Sequence, residues 1–260
     1  MNVVKNFLTD LSLERVEIGV DKYKKQHNML NGHSYESAFI LIKDTPSYTD
    51  FNKAYPEFYE LINPLMSGYT AAFLKIVLHM DTATTGAFPH IDRHLQDNIS
   101  DLKIKNMPSI SLPAITRIFY ICKDLDGGNL EVENNGEIVP INVENNILVS
   151  FDGGTIHGVT PILSCTYKVF FAIELHNVES EICRELEKHN VSNYFKIWEV
   201  KKNSKNVADI HAHTVKRNGD CTDLDTLIDL ISKNEKWRKA ISYITSVWVL
   251  RFYKSHKYYD

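Results

Sequence analysis

His90 and Asp92 stand two residues apart in the stretch Pro89-His90-Ile91-Asp92-Arg93-His94. On an extended strand alternate side chains leave on one face, so this imidazole and this carboxylate point the same way. A second imidazole, His157, follows far along the chain in Ser150-Phe151-Asp152-Gly153-Gly154-Thr155-Ile156-His157-Gly158-Val159-Thr160-Pro161. Two histidines and one carboxylate on one face of a metal ion are the set that holds mononuclear non-haem Fe(II), leaving three positions for a co-substrate and O2. A chain that uses this set must fold so that residue 157 meets residues 90 and 92.

Other pairs compete. His79 and Asp81 repeat the His-x-Asp spacing a few residues earlier. His90 and His94 have the i, i+4 spacing of helical zinc sites, but Ile91 stands where such sites carry a glutamate base, and Pro89 argues against a long helix. Asp209-Ile210-His211-Ala212-His213 offers a His-x-His pair in a stretch that reads as a solvated polar loop. His90 has the strongest downstream context.

The elements that must position these residues read as follows. Residues 3–28 suit one or two surface helices, and 50–66 carries aromatic and aliphatic residues at helical spacing. Runs of β-branched and aromatic residues predict strands at 38–42, 73–79, 116–122, 129–133, 138–143, 147–151 and 168–175. Asn135-Gly136 is a hairpin signal and Asp126-Gly127-Gly128 a turn. Short strands at close spacing predict a mainly β fold with flanking helices, a sandwich or barrel. Residues 95–113 are polar and loop-like, and 178–260 reads as a helical extension packed on the core, a possible lid. The expected division is 1–177 and 178–260.

The chain has 260 residues, 43% hydrophobic, enough for one sizeable core with appended elements. A net charge of -4 without a basic block disfavours nucleic acid as a partner. No apolar run reaches membrane-spanning length, and the first residues lack the basic and apolar regions of a secretory signal. Four cysteines without a CxxC pair read as reduced packing thiols. The expected location is cytoplasmic.

The order strand, His-x-Asp, strand, Gly-Gly turn, strand, His, strand resembles the Fe(II)/2-oxoglutarate-dependent oxygenases, in particular their prolyl-hydroxylase-like branch. Pro89-His90-Ile91-Asp92 is similar to the family's proximal ligand pair. Asp126-Gly127-Gly128-Asn129-Leu130 is similar to a Gly-Gly turn of that branch, and His157-Gly158-Val159-Thr160-Pro161 to its distal ligand region. The resemblance covers about 70–176. It implies a double-stranded β-helix (jelly-roll) core, Fe(II) on His90, Asp92 and His157, and 2-oxoglutarate and O2 as co-substrates. It also implies a basic residue beyond the distal histidine that grips the far carboxylate of 2-oxoglutarate.

Lys168 fits that last role on physical grounds as well. It sits in an otherwise apolar strand, Lys168 to Leu175, and a buried ammonium needs an anion. It stands 11 positions beyond His157, one more than the branch's usual spacing. Thr166 or Tyr167 could add a hydroxyl donor. Arg117 either faces the pocket and holds a carboxylate bidentately or lies at the surface. Asn129 and Glu131 share a face and either touch substrate or face solvent. The activity implied is hydroxylation of an unactivated C–H, since related halogenases lack a carboxylate at the position of Asp92. Desaturation and ring closure are variants. The expected substrate is a free amino acid or small polar metabolite. The alternatives are a peptide or protein side chain, or a non-catalytic jelly-roll binding module.

Overall fold

The computed structural model describes residues 1–84, 86–92, 94–95, 110–188 and 196–200. Asn2–Lys5 forms β1, paired with a strand almost 150 residues later rather than entering a helix at once. Helix α1 (Asp10–Gln26) starts at Thr9, whose side chain accepts the Ser12 amide, with Asp10 in its first turn and Lys24 and Lys25 in its last. Strand β2 (His33–Ile42) runs ten residues, twice the apolar run visible in sequence. The helix expected over 50–66 is broken by Pro56 into α2 (Pro46–Ala54), a 3₁₀ turn (Pro56–Phe58) and α3 (Tyr59–Leu65).

The strands then follow as β3 (Ala71–Met80), β4 (Ala87–His90), β5 (Ile115–Lys123), β6 (Asp126–Gly127), β7 (Leu130–Asn134) and β8 (Glu137–Ile141). After these come β9 (Ile147–Asp152), β10 (His157–Val159), β11 (Ile162–Ser164) and β12 (Tyr167–His176). The β7–β8 hairpin turns on Asn135 and Gly136, both at positive φ, as the Asn-Gly signal requires. Helix α4 (Ser180–Lys188) and β13 (Lys196–Val200) complete the described elements. β13 lies inside the span expected to be helical. It extends the sheet edge by pairing with β2. The helices expected over 223–233 and 235–254, the pair His211/His213 and most of the loop 95–113 lie outside the described residues.

Two antiparallel sheets carry the fold, in the order β1-β9-β5-β12-β3-β2-β13 and β4-β10-β7-β8. The period of two divides the larger sheet's side chains cleanly. Phe119, Ile121, Val169, Phe171, Ile173 and Leu175 face α1–α3 and form one core with Val16, Tyr23, Phe58 and Leu61. Ile118, Tyr120, Val149 and Phe151 face the smaller sheet and pack on its Leu130, Val132 and Ile141. Helix α4 covers the β2–β3 end of that inner face through Ile182, Cys183 and Leu186 against Ile40, Ile42 and Phe73. The architecture is the mainly β, jelly-roll arrangement of two facing sheets with flanking helices. It leaves the space between the sheets lined by alternate residues of β12, β5 and β3 on one side and of β10 and β4 on the other. Cys122, Cys165 and Cys183 are free thiols. Among the described residues no helix is long and apolar enough to cross a membrane.

Candidate metal centre

β4 and β10 are hydrogen-bonded neighbours, with His90 directly opposite His157. Residues opposite one another in an antiparallel pair project to the same side, so the two imidazoles share a face. Their ring centroids lie 4.4 Å apart. β4 ends at His90, and the chain brings Asp92 back under both rings just after the strand. Asp92 Oδ1 is 3.6 Å from His90 Nε2, and Oδ2 is 3.4 Å from His157 Nε2. The ligand atoms of all three residues lie within 4.8 Å of one another.

The donor set fits a metal ion. Two ligands at right angles, each about 2.1 Å from an ion, are roughly 3 Å apart, close to the spacing seen here. Asp92 is 5% exposed and His157 3%. A carboxylate buried so far needs a cation. His157 Nδ1 lies 3.1 Å from the Thr155 carbonyl, which can only accept. That bond places the ring proton on Nδ1 and leaves the Nε2 lone pair facing the centre. Two neutral nitrogen donors and one carboxylate oxygen form the facial set expected for Fe(II).

Lys168 projects from β12 into the same inter-sheet space. It is 1% exposed, and its Nζ donates to the Gly128 carbonyl at 2.5 Å. The ammonium lies over the rings of Tyr120 and Phe170, at 5.2 and 5.9 Å from their centroids. Among the described residues no carboxylate pairs with it. Burial pushes its pKa well below the ordinary lysine range, to about 8. Tyr120 lies under the Lys168 ammonium, and burial first, then the charge of Asp92, pushes its phenol up. The ammonium therefore projects into the inter-sheet space that also holds the candidate ligands His90, Asp92 and His157.

Gly128 makes this position available. Its φ is +65°, and a Cβ there would meet Lys168 Nζ at 3.1 Å and Ile162 Cγ1 at 2.9 Å. Gly128→Ala is expected to cost about 1–2 kcal/mol of stability from the left-handed backbone alone, read by chemical denaturation. It should also weaken anion binding at Lys168, read by calorimetry.

Several expected site residues lie elsewhere. Arg117 is on the opposite face of β5, where its Nη1 donates to the Leu65 carbonyl at 2.6 Å and its guanidinium lies over Tyr69. The alternation that points Ile118 and Tyr120 inward sends Arg117 to the helices. Tyr167 likewise faces the helical layer, where burial first and then Glu17 raise its pKa. Thr166 precedes β12 and donates to Asp124 at 2.9 Å at the surface. Asn129 is used in the loop, its Oδ1 accepting the Val143 amide at 3.2 Å. Glu131 is opposite Gly158, while its neighbour Val132 is opposite His157, so Glu131 falls on the other face of the smaller sheet. His79 faces inward beside Lys168, but burial first, then Lys168 and Lys75, hold it neutral, with a pKa of about 3. Its Nδ1 lies 2.6 Å from Ser34 Oγ. Asp81 sits exposed in the turn after β3, so that pair forms no centre.

The structure adds residues that sequence reasoning passed over. Glu174 and His176 lie on the Lys168 face of β12, near His94, which the sequence offered only for a helical zinc site. Lys75 on β3 pairs with Glu36 on β2 at 2.9 Å. The period of two counted onward from Lys168 would have found Glu174 and His176.

No family model matches the chain, and no curated protein does. Solved structures similar to it include a prolyl-4-hydroxylase from Pseudomonas putida, at 15% identity and a TM-score of 0.41, covering 68% of this chain and 92% of that one. Another is a prolyl 4-hydroxylase from Phytophthora capsici, at 10% identity and a TM-score of 0.44, covering 95% and 88%. A third is the viral collagen prolyl hydroxylase of Paramecium bursaria Chlorella virus-1, solved with 2-oxoglutarate, at 12% identity and a TM-score of 0.39, covering 68% and 96%. The chain is similar to these hydroxylases in fold, and its candidate centre stands on its own strands and side chains.

Proposed function

We propose that the chain is an Fe(II)/2-oxoglutarate-dependent oxygenase that hydroxylates a small polar molecule, an amino acid or a related metabolite. The observation that carries this reading is the pairing of two features between the two sheets. One is a His90–Asp92–His157 cluster with ligand atoms within 4.8 Å of one another. The other is a buried lysine that no carboxylate neutralises among the described residues. A ligand set of this kind, with an ammonium beyond it, suits a bound dicarboxylate with one end at the metal and the other at Lys168.

The iron, when bound, supplies activation of O2 coupled to decarboxylation of 2-oxoglutarate, with succinate, CO2 and an oxidised C–H bond as the products. The chain's residues do the rest. His90, Asp92 and His157 would hold the ion. Thr155 fixes the tautomer of His157. Lys168, flanked by the rings of Tyr120 and Phe170, would receive the distal carboxylate, and Phe151 packs on His157.

Since Lys168 must be charged to take the carboxylate, 2-oxoglutarate affinity is expected to fall as pH rises above about 8, by up to roughly tenfold per unit. The ligand-free chain should show the opposite trend. The unfolded chain binds the proton more tightly, so stability rises with pH between about 8 and the ordinary lysine value. Calorimetric titration across this range, beside thermal melts without ligand, checks both signs.

The activity is tested by following succinate release from 2-oxoglutarate with Fe(II), first with pools of free amino acids and small metabolites, then with peptides. Coupled turnover with the first pool supports the reading, and turnover with peptides alone replaces its substrate class. Binding of Fe(II) and 2-oxoglutarate without turnover on any pool would leave a binding module. Failure to bind N-oxalylglycine, the unreactive analogue, would point to a metal enzyme that does not use 2-oxoglutarate.

A further inference from the structure

Beyond the first three ligands, the inner face carries a second group of the same chemistry. Glu174 is 2% exposed and accepts a hydrogen bond from His94 Nδ1 through Oε1. His94 Nδ1 is 3.6 Å from Asp92 Oδ1. The ligand atoms of Asp92, His94 and Glu174 all lie within 4.8 Å of one another. His94 is stacked flat on Phe73, with centroids 5.2 Å apart, which holds its ring in place.

A second observation points to an occupant. His176 is 1% exposed, and among the described residues neither of its ring nitrogens has a hydrogen-bond partner. Its Nε2 is 3.7 Å from Glu174 Oε2, an oxygen that also lacks a hydrogen bond among the described residues. Buried imidazoles and carboxylates are normally satisfied, and a buried carboxylate needs a cation. Lys75, the nearby ammonium, is already taken by Glu36. Asp92, Glu174, His90, His94, His157 and His176 thus gather two carboxylates and four imidazoles, twice the two-histidine, one-carboxylate set that binds a single ion.

We propose that Asp92, His94 and Glu174 bind a second divalent cation beside the first, with Asp92 shared between the two and His176 adjacent to the new site. This rests on the reading of His90, Asp92 and His157 as metal ligands. A nitrogen and carboxylate donor set of this kind takes a first-row transition ion such as Mn(II), Fe(II) or Zn(II) rather than Ca(II). Such an ion would hold the Asp92 carboxylate in one orientation toward the first.

The test is anaerobic loading of the full chain with Mn(II), followed by elemental analysis and electron paramagnetic resonance. The wild type is expected to hold two ions per chain and to show the spectrum of a coupled pair. Glu174→Gln and His94→Ala should each retain one ion with the signal of an isolated centre, and weaken binding of the second at least tenfold. Circular dichroism shows whether each variant is folded, and the wild-type stoichiometry depends on no variant. One ion in the wild type, unchanged in both variants, would overturn the second site and leave the first intact, with His94 and Glu174 a plain ion pair. An ion that survives His90→Ala but is lost in His94→Ala would keep the second site and overturn the first. No bound ion in the wild type would overturn both.

Discussion

Asp92→Ala is expected to lower iron-dependent 2-oxoglutarate turnover by about a thousandfold or more while the chain stays folded. A bound metal supplies several kcal/mol of stabilisation to the reaction it promotes, and each 1.36 kcal/mol is about a tenfold change in rate. Asp92 is the one carboxylate of the candidate set, and it touches both histidines. Its removal leaves two neutral nitrogens, too few to hold Fe(II) against water. The fold should survive because neither large apolar cluster includes Asp92. Without metal the variant should melt no lower than the parent, since a buried carboxylate has been taken out. Succinate release and thermal melts, measured side by side, check the two halves. Unimpaired turnover in this variant would remove Asp92 from the ligand set.

Lys168→Met is expected to move stability and binding in opposite directions. In the ligand-free chain the ammonium is fully buried, with a carbonyl and two aromatic faces for company. Replacing an uncompensated buried charge by an apolar side chain of similar volume is often stabilising, by about 1–4 kcal/mol. The same replacement strips the distal carboxylate of its counter-ion. Truncating one partner of a buried charge pair costs about 2–5 kcal/mol, or roughly thirtyfold to several thousandfold in the affinity for 2-oxoglutarate. A lysine that served only the fold would show neither the gain in melting temperature nor the selective loss of binding. Metal binding itself should be unchanged, because Lys168 is not among the ligands.

Much of this was legible in the residues alone. The strands, the Asn135-Gly136 hairpin and the meeting of His90 with His157 follow from β-branched composition, turn chemistry and the residue types a metal needs. What local pattern could not give was the direction of each side chain once strands find partners. Arg117 begins a strand with both faces buried, and only its register with Ile173 and Ser150 decides that it meets the helices. Asn129 and Glu131 were expected on the substrate side because they share a face. They do alternate together, but the pairing of Val132 with His157 turns that face away from the candidate centre. Thr166 is drawn outward by Asp124.

The edges were harder still. β1 owes its existence to pairing with β9, a long-range contact that four residues cannot announce. β13 likewise takes its form from the open edge of β2 and not from its own sequence. Glu174 and His176 were hidden for another reason. A strand dense in aromatic and branched residues reads as core, and its charged members draw notice only when the face is counted residue by residue.

Anomalous diffraction from crystals grown with Mn(II) and N-oxalylglycine tests the central claim most directly. The expected result is an ion held by His90, Asp92 and His157, with the analogue reaching from it to the Lys168 ammonium. An ion bound away from His90 and His157, or an analogue whose distal carboxylate lies clear of Lys168, would contradict the account.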